Sequence, residues 1–126
     1  MVYYVRLTTI AGLLGVTVPW LRGLIGQRVM DDERDYPAKG SPHLMHTKQI
    51  VQALVALRCR RRNIGYDAIR EAVDAFEVFG KQYHIAEVER GVDLRLHRRV
   101  LVADAKEVLE KANLIEFGSN GEEAAA

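Results

Sequence analysis

At 126 residues the chain is long enough for one domain, or for one small domain with a tail. Apolar residues make up 48% of it and charged residues 28%, which is ordinary for a soluble globular protein. No apolar run approaches the roughly 18 residues that a membrane-spanning helix needs, and the N-terminus lacks the pattern of a secretory signal. The single cysteine, Cys59, excludes an intrachain disulfide framework. These features predict a cytoplasmic protein that is not associated with a membrane.

The net charge of +1 hides an asymmetry between the two parts of the chain. Residues 1–70 hold 11 Lys and Arg against 5 Asp and Glu, a net charge of +6. Residues 71–126 hold 7 against 12, a net charge of −5. The asymmetry favours contact between the basic part and a polyanion, although charges also drift apart by chance in short chains.

The first predicted elements are an extended segment and a short helix. Val2–Leu7 is rich in residues that favour strands. Thr8 or Thr9 is expected to cap a helix that runs to Leu14, because a threonine hydroxyl accepts a hydrogen bond from an unpaired N–H of the first turn. Gly15 is expected to end this helix, since glycine readily adopts the left-handed conformation.

A second helix is predicted directly after this turn. Thr17 is its predicted cap, Pro19 suits its first turn, and its apolar pattern runs to about Ile25. Two short helices joined by a tight glycine-containing turn are typical of a helix-turn-helix motif. Any other corner of two helices needs the same glycine and the same apolar stripes, so both interpretations stay open here.

Residues 27–46 contain prolines, a glycine and an acidic run, and they predict a loop or a short hairpin. Thr47 is expected to cap a third helix that reaches Arg62. The sequence Asn63-Ile64-Gly65 is expected to end it, and a fourth helix is predicted over Tyr66–Phe79.

The C-terminal part predicts a mixture of strands and one helix. Tyr83–Glu89 and Val92–Leu96 are expected to form a hairpin. Val100–Val102 is predicted as a further strand, Ala103–Asn113 as a helix and Leu114–Phe117 as a final strand. Residues 81–117 carry too many apolar side chains for a disordered tail. They are therefore expected to cover the preceding helices, a second copy of the chain or a partner protein.

The residues of the first part resemble the DNA-binding domain of MerR-type bacterial regulators. The segment "IAGLLGVTVPWLR" is similar to the family's opening, with a helix, a Gly turn, a Thr cap at Thr17 and then Leu21-Arg22. The segment "HLMHTKQIVQALVALRCRRRNIGYDAIREAV" is similar to the family's next part, in which a capped helix is followed by a glycine turn and a further helix. The matching positions there are Thr47, Ile50, Leu54, Gly65 and Ile69. The resemblance covers about residues 3–76.

The chain departs from the family in three places. Gly23-Leu24-Ile25 stands where the family has an aromatic pair and a charged residue. Gly40-Ser41-Pro42-His43-Leu44 replaces the family's Arg-rich wing signature. Beyond residue 80 the family has a long dimerising helix, whereas the predicted helix Ala103–Asn113 is only about 16 Å long.

The resemblance implies a mainly α fold, with a winged helix-turn-helix head and a small α/β extension. The head is assigned to residues 1–79, with four helices and a wing, and the extension to residues 80–117. Residues 118–126 are predicted to be a disordered tail. The implied function is a sequence-specific regulator of transcription that binds double-stranded DNA. Phage excisionase-like DNA bending, and an antitoxin or adaptor acting through protein contacts, stay open as alternatives.

The candidate DNA contacts are basic, aromatic and hydroxyl side chains near the second helix and the wing. They are Thr17, Trp20, Arg22, Arg28, Lys39, His43, Arg60, Arg61 and Arg62. Arg22 suits bidentate contact with guanine or contact with a phosphate, but a surface ion pair is the plain alternative. Trp20 either stacks on the nucleic acid or closes the edge of the core. Arg60–Arg62 either contact phosphates or favour the negative end of their helix.

Enzyme and metal functions are not expected. One cysteine and scattered histidines give no recognisable ligand spacing, and Cys59 on a helix is more often a small core residue than a ligand. No glycine-rich phosphate loop and no nucleophile motif is present in the sequence. We therefore expect no catalysis, no metal and no cofactor. The expected partners are DNA and, through residues 81–117, a second copy of the chain or another protein.

Overall fold

A computed structural model of the protein describes residues 5–31, 44–78 and 80–118. These residues form five α-helices and two small antiparallel sheets of two strands each. In chain order the elements are β1 (Val5–Arg6), α1 (Leu7–Leu14), α2 (Val18–Gly26), β2 (Leu44–Met45), α3 (Thr47–Arg60), α4 (Tyr66–Val78), β3 (Gln82–Glu87), β4 (Val92–His97) and α5 (Arg98–Phe117). The prediction of a mainly helical chain is confirmed.

The α1 and α2 helices form a bent pair near the N-terminus. The α1 helix begins at Leu7 without a side-chain cap, so the predicted cap at Thr8 or Thr9 is wrong. Gly15 ends α1 with a left-handed φ of 69°. The Thr17 hydroxyl accepts a hydrogen bond from Trp20 N at 3.2 Å, which confirms the predicted cap of α2. No single described helix is long and apolar enough to cross a membrane; α1 and α2 pass by length and composition only as a pair, and they are bent by 113°.

The return from α2 to α3 is fixed by buried glutamines. Asp31 N donates to Gln52 Oε1 at 2.9 Å, and Gln49 Nε2 donates to Asp31 O at 2.7 Å. The β2 strand, just before α3, pairs with β1 at the N-terminal end of the described residues. Residues 32–43 lie outside the described residues, so most of the predicted loop or wing, with Lys39 and His43, is not described.

The α3 helix is the central element of the core. Its N-cap is His46 and not the predicted Thr47, which is the first helical residue. The His46 Nδ1 atom accepts from Lys48 N at 3.2 Å, while Gln49 Oε1 accepts from His46 N at 3.1 Å. An imidazole nitrogen thus satisfies the first turn in the way that a hydroxyl usually does. The helix is buried on most sides, as its central residue Val55 illustrates.

The C-terminal part is a hairpin followed by one long helix. The β3 and β4 strands pair in register from Gln82–His97 to Glu87–Val92, which confirms the predicted hairpin. The predicted strands Val100–Val102 and Leu114–Phe117 are wrong, because both lie in the 20-residue helix α5. Their β-branched and aromatic residues favour strands locally, but a buried stripe at helical spacing decides the conformation. That stripe is Leu101, Ala105, Leu109 and Ala112.

The α5 helix packs against α1 and α3. One continuous hydrophobic core takes side chains from both sides of residue 80, including Ile10, Ile50 and Leu109. Two polar contacts fix the packing at either end of α5. The Arg58 guanidinium pairs with Asp104 at 2.5 Å, and Arg6 N donates to Glu116 Oε2 at 2.8 Å.

Candidate nucleic-acid interface

The α2 helix has a buried face and an outward face with very different side chains. Leu21 and Leu24 are fully buried against the core. The outward face is exposed and follows the spacing i, i+3, i+4, i+7 of one side of a helix. Its residues are Pro19, Arg22, Gly23 and Gly26. Arg22 is therefore the one long side chain on this outward face.

The glycines on the outward face have no packing role in the fold. A Cβ atom added at Gly23 or Gly26 would meet no atom within 4 Å, and neither residue has a left-handed φ. Glycine inside a helix costs roughly 0.5–1 kcal/mol relative to alanine. At Gly23, which lies inside α2, the fold thus carries a small cost that brings it no internal contact. The result is a smooth surface that another molecule can approach to the level of the helix backbone.

Trp20 joins the first turn of α2 to the end of α3. Its half-buried ring packs against the core, and Arg60 lies over it with the guanidinium carbon 4.8 Å from the ring centroid. Trp20 closes the edge of the core, which is one of the two roles expected from the sequence. Because it also borders the surface, the other role, stacking on a nucleic acid, stays open. A cavity of about 340 Å³ lies beside it, lined partly by Arg60, Asn63 and Tyr66.

The candidate arginines differ from others in the chain in how their charges are used. Among the described residues, three arginines are paired with carboxylates: Arg58 with Asp104, Arg70 with Asp67, and Arg90 with Glu87. By contrast, Arg22, Arg28, Arg60 and Arg61 are exposed and form no ion pair within the part of the chain that the structure describes. Their charges are therefore available to an external anion.

Arg28 and Arg62 differ from the other candidate arginines in backbone conformation and in direction. Arg28 follows α2 and adopts a left-handed φ of 61°, which turns the chain away from the helix axis. Arg62 is directed toward the hairpin, where its Nη1 lies 3.4 Å from Asp93 O. A hydrogen bond from His84 lowers the pKa of Asp93, and the charges of Arg95 and Arg62 lower it further. Part of the Arg62 charge is therefore used within the chain.

Two residues beside Trp20 were not among the sequence candidates. Asn63 and Tyr66 line the same cavity, but in the sequence Asn63 lies in a stretch that signals only the end of a helix. An exposed tyrosine next to a glycine turn and an arginine run is the signal that would have indicated them. Arg70 was also missed; its Nη1 donates to Gln27 O at 2.7 Å and ties α4 to the end of α2.

The described residues offer no constellation for metal chemistry. No group of three or more His, Cys, Asp or Glu side chains lies together among them. Cys59 is fully buried, as expected of a small core residue, and burial raises the pKa of its thiol to about 11. The thiol is therefore protonated near neutral pH and is a poor nucleophile.

The chain was also compared with known proteins. No family model, no curated protein and no solved structure matches it. Its function is therefore inferred from its own residues and their arrangement.

Proposed function

We propose that this protein binds double-stranded DNA in a sequence-specific manner and acts as a regulator of transcription, with α2 as the helix that enters the major groove. One observation carries the proposal. Four exposed arginines without a carboxylate partner among the described residues lie on α2, directly after it and at the end of α3, and the outward face of α2 is smooth. They are Arg22, Arg28, Arg60 and Arg61.

The arrangement of α1 and α2 supports this proposal. The two helices are bent by 113° at a turn that contains Gly15, within the range of roughly 90–120° for helix-turn-helix motifs. The motif places the N-terminal part of its second helix against the base edges. In this chain that part begins at Thr17, whose hydroxyl caps the helix by accepting a hydrogen bond from Trp20 N. The resemblance to MerR-type heads points the same way.

Each candidate side chain then has a role that follows from its position. Arg22, on the outward face, is placed to donate to a base edge, for which a bidentate arginine prefers guanine. Gly23 and Gly26 allow the helix backbone to lie close to the groove. Arg60 is held over Trp20 and contacts a phosphate at the groove's border, as does the exposed Arg61.

Titration of fluorescent duplexes from a randomised library, at a series of salt concentrations, tests the proposal. If Arg28, Arg60 and Arg61 each neutralise one phosphate, the slope of log K against log salt is about −3. Replacement of both Arg60 and Arg61 by Gln should reduce that slope by about two and weaken binding to all sequences alike. The control variant Arg95→Gln removes one positive charge from the hairpin, away from the proposed DNA contacts. It should leave the slope unchanged. No binding at low salt to any duplex in the library would refute the proposal.

A protein-interaction module, such as an antitoxin or adaptor, is the second candidate. It is favoured by exposed apolar side chains at the end of α5, namely Leu114, Ile115 and Phe117, which are between 52% and 63% exposed. Such a cluster is typical of a contact with another protein. Replacement of these side chains by polar ones should then abolish binding to the partner protein in cells, while the DNA affinity of the purified chain stays unchanged.

A further inference from the structure

A cavity of about 330 Å³ lies between α3, α4 and the start of α5, away from the residues assigned to DNA. Most of its wall is apolar, and three of the apolar side chains, Val55, Val73 and Phe76, also belong to the core. The lining residues are Thr47, Lys48, Val51, Gln52, Val55, Val73, Phe76, Arg98 and Val102. Its volume is at the lower end of the range for small-molecule sites, which combine apolar walls with a few polar groups.

The buried amide of Gln52 gives this cavity an unused donor. Gln52 is 4% exposed, and its Oε1 accepts from Asp31 N at 2.9 Å. Its Nε2 donates to no group among the described residues. The neighbouring Gln49 differs, since both ends of its amide are hydrogen-bonded within the chain. A buried donor without a partner is costly, so an acceptor inside the cavity would stabilise the protein.

Arg98 supplies a positive charge at the edge of the same cavity. Its guanidinium forms no ion pair and no side-chain hydrogen bond within the described part of the chain. The guanidinium lies close to Gly80, where an added Cβ would be 3.3 Å from Arg98 Nη1. The other cation in the lining, Lys48, pairs with Asp31 at 2.8 Å. Arg98 is therefore the cation best placed to bind an incoming anion.

We propose that this cavity binds a small carboxylic acid that has an apolar body and one further acceptor oxygen. The body packs against Val55, Val73 and Phe76, which are the apolar walls. Arg98 holds the carboxylate at the edge, and Gln52 Nε2 donates to the second oxygen inside. This ligand site is independent of the proposed DNA contacts, because it shares no residue with them.

Three related probes separate the contributions of charge and acceptor. They are 3-benzoylpropanoate, which has both features, 4-phenylbutyrate, which lacks the ketone, and 3-benzoylpropanamide, which lacks the charge. Binding to the full chain is measured by calorimetry and by NMR of the Gln52 amide and the valine methyl groups. We expect 3-benzoylpropanoate to bind most tightly, with about tenfold weaker binding of each probe that lacks one feature.

Variants assign each contribution to a residue. Arg98→Gln should bring the affinity of 3-benzoylpropanoate down to that of the amide, and Arg95→Gln, a change of equal charge on β4, should leave it unaltered. Val51→Phe fills the cavity and should abolish binding of all three probes. The proposal is overturned if the NMR signals of Gln52 and the lining valines do not move with any probe. It is equally overturned if the three probes bind alike and Arg98→Gln changes nothing.

Discussion

Replacement of Gly23 on the outward face of α2 tests the fold and the proposed function with one pair of variants. In Gly23→Ala the added methyl group meets no atom within 4 Å, so it costs nothing in packing. Alanine also loses less conformational entropy than glycine when a helix forms. We therefore expect Gly23→Ala to raise the free energy of unfolding by about 0.5–1 kcal/mol. For a chain of this size, that corresponds to an increase in melting temperature of about 2–4 °C.

The effect on DNA affinity should have the opposite sign. Gly23→Leu keeps a high helix propensity but places a branched side chain between the helix backbone and the groove. If α2 lies against the bases, the complex must move apart or lose the Arg22 contact, and affinity should fall by about tenfold or more. A substitution that stabilises the free protein while it weakens the complex cannot be explained by partial unfolding.

Gly12 provides the matched control for this experiment. It is an exposed glycine in α1, and a Cβ added there also meets nothing within 4 Å. Gly12→Ala should be stabilising to a similar extent, with little change in DNA affinity. Melting is followed by circular dichroism and binding by fluorescence anisotropy on a selected duplex. If Gly23→Leu is stabilised and keeps full DNA affinity, the outward face of α2 is not the DNA-contacting surface. If Gly23→Ala melts at a lower temperature, the open environment of Gly23 is wrong.

Further predictions concern single side chains in different parts of the chain. Arg22→Ala should weaken specific DNA binding by about 1–3 kcal/mol without a change in melting temperature, and an unaltered affinity in a titration would refute the placement of α2. The Cys59 thiol should react with a maleimide only after unfolding, because it is buried, and rapid labelling of the native chain would contradict this. Because burial raises the pKa of Cys59 from 9.0 to about 11, its contribution to stability should be lost as the pH rises through that range, and Cys59→Ala should remove that loss from alkaline denaturation curves. If the chain self-associates through α5, the double variant Leu114→Glu, Phe117→Glu should have a lower mass in light scattering than the unmodified chain. An equal mass for the variant and the unmodified chain would argue against an α5 interface.

The turn from α1 to α2 could be predicted from the sequence because its signals are local, whereas the start of α1, which has no side-chain cap, could not. Gly15 and Thr17 adopt the left-handed and capping conformations that their chemistry favours. The start of α3 could not be placed to the residue, because a histidine ring took the capping role that the sequence assigned to the adjacent Thr47. The bounds predicted for the last helix, α5, were wrong for a different reason. Its ends have strand-like composition, and only packing against α1 and α3 makes the helix continuous.

The candidate site, too, could be predicted from the sequence only in part. That arginines are numerous near the end of α3 follows from the sequence, but which of them are available does not. Arg58 pairs with Asp104, and Arg62 is directed to Asp93 O, whereas Arg60 lies over Trp20. These partners are distant in the sequence and meet only when α2, the hairpin and α5 pack around the end of α3. The availability of a charge is thus a tertiary property, and the sequence alone gives only the candidates.

The length of α5 changes the physical basis for self-association. The predicted helix Ala103–Asn113 was too short for a coiled coil, but the 20 residues of α5 span about 30 Å. Its inward stripe is used by the core, and a second, exposed stripe alternates in steps of three and four residues, as coiled-coil seams do. That stripe is Val100, Ala103, Glu107, Glu110, Leu114 and Phe117.

The order of residues in this exposed stripe favours an antiparallel pair of α5 helices. Its apolar residues are at the two ends, and its glutamates are at the centre. In an antiparallel pair the small N-terminal residues, Val100 and Ala103, meet the large Phe117 and Leu114 of the second copy, so that small side chains face large ones. In a parallel pair the large residues would face each other at one end and leave the other end poorly filled. Glutamates meet at the centre in either arrangement, and the repulsion between their carboxylates costs stability in both. A two-fold pair of this kind would also place two α2 helices in symmetric positions, as a reader of two DNA half-sites requires.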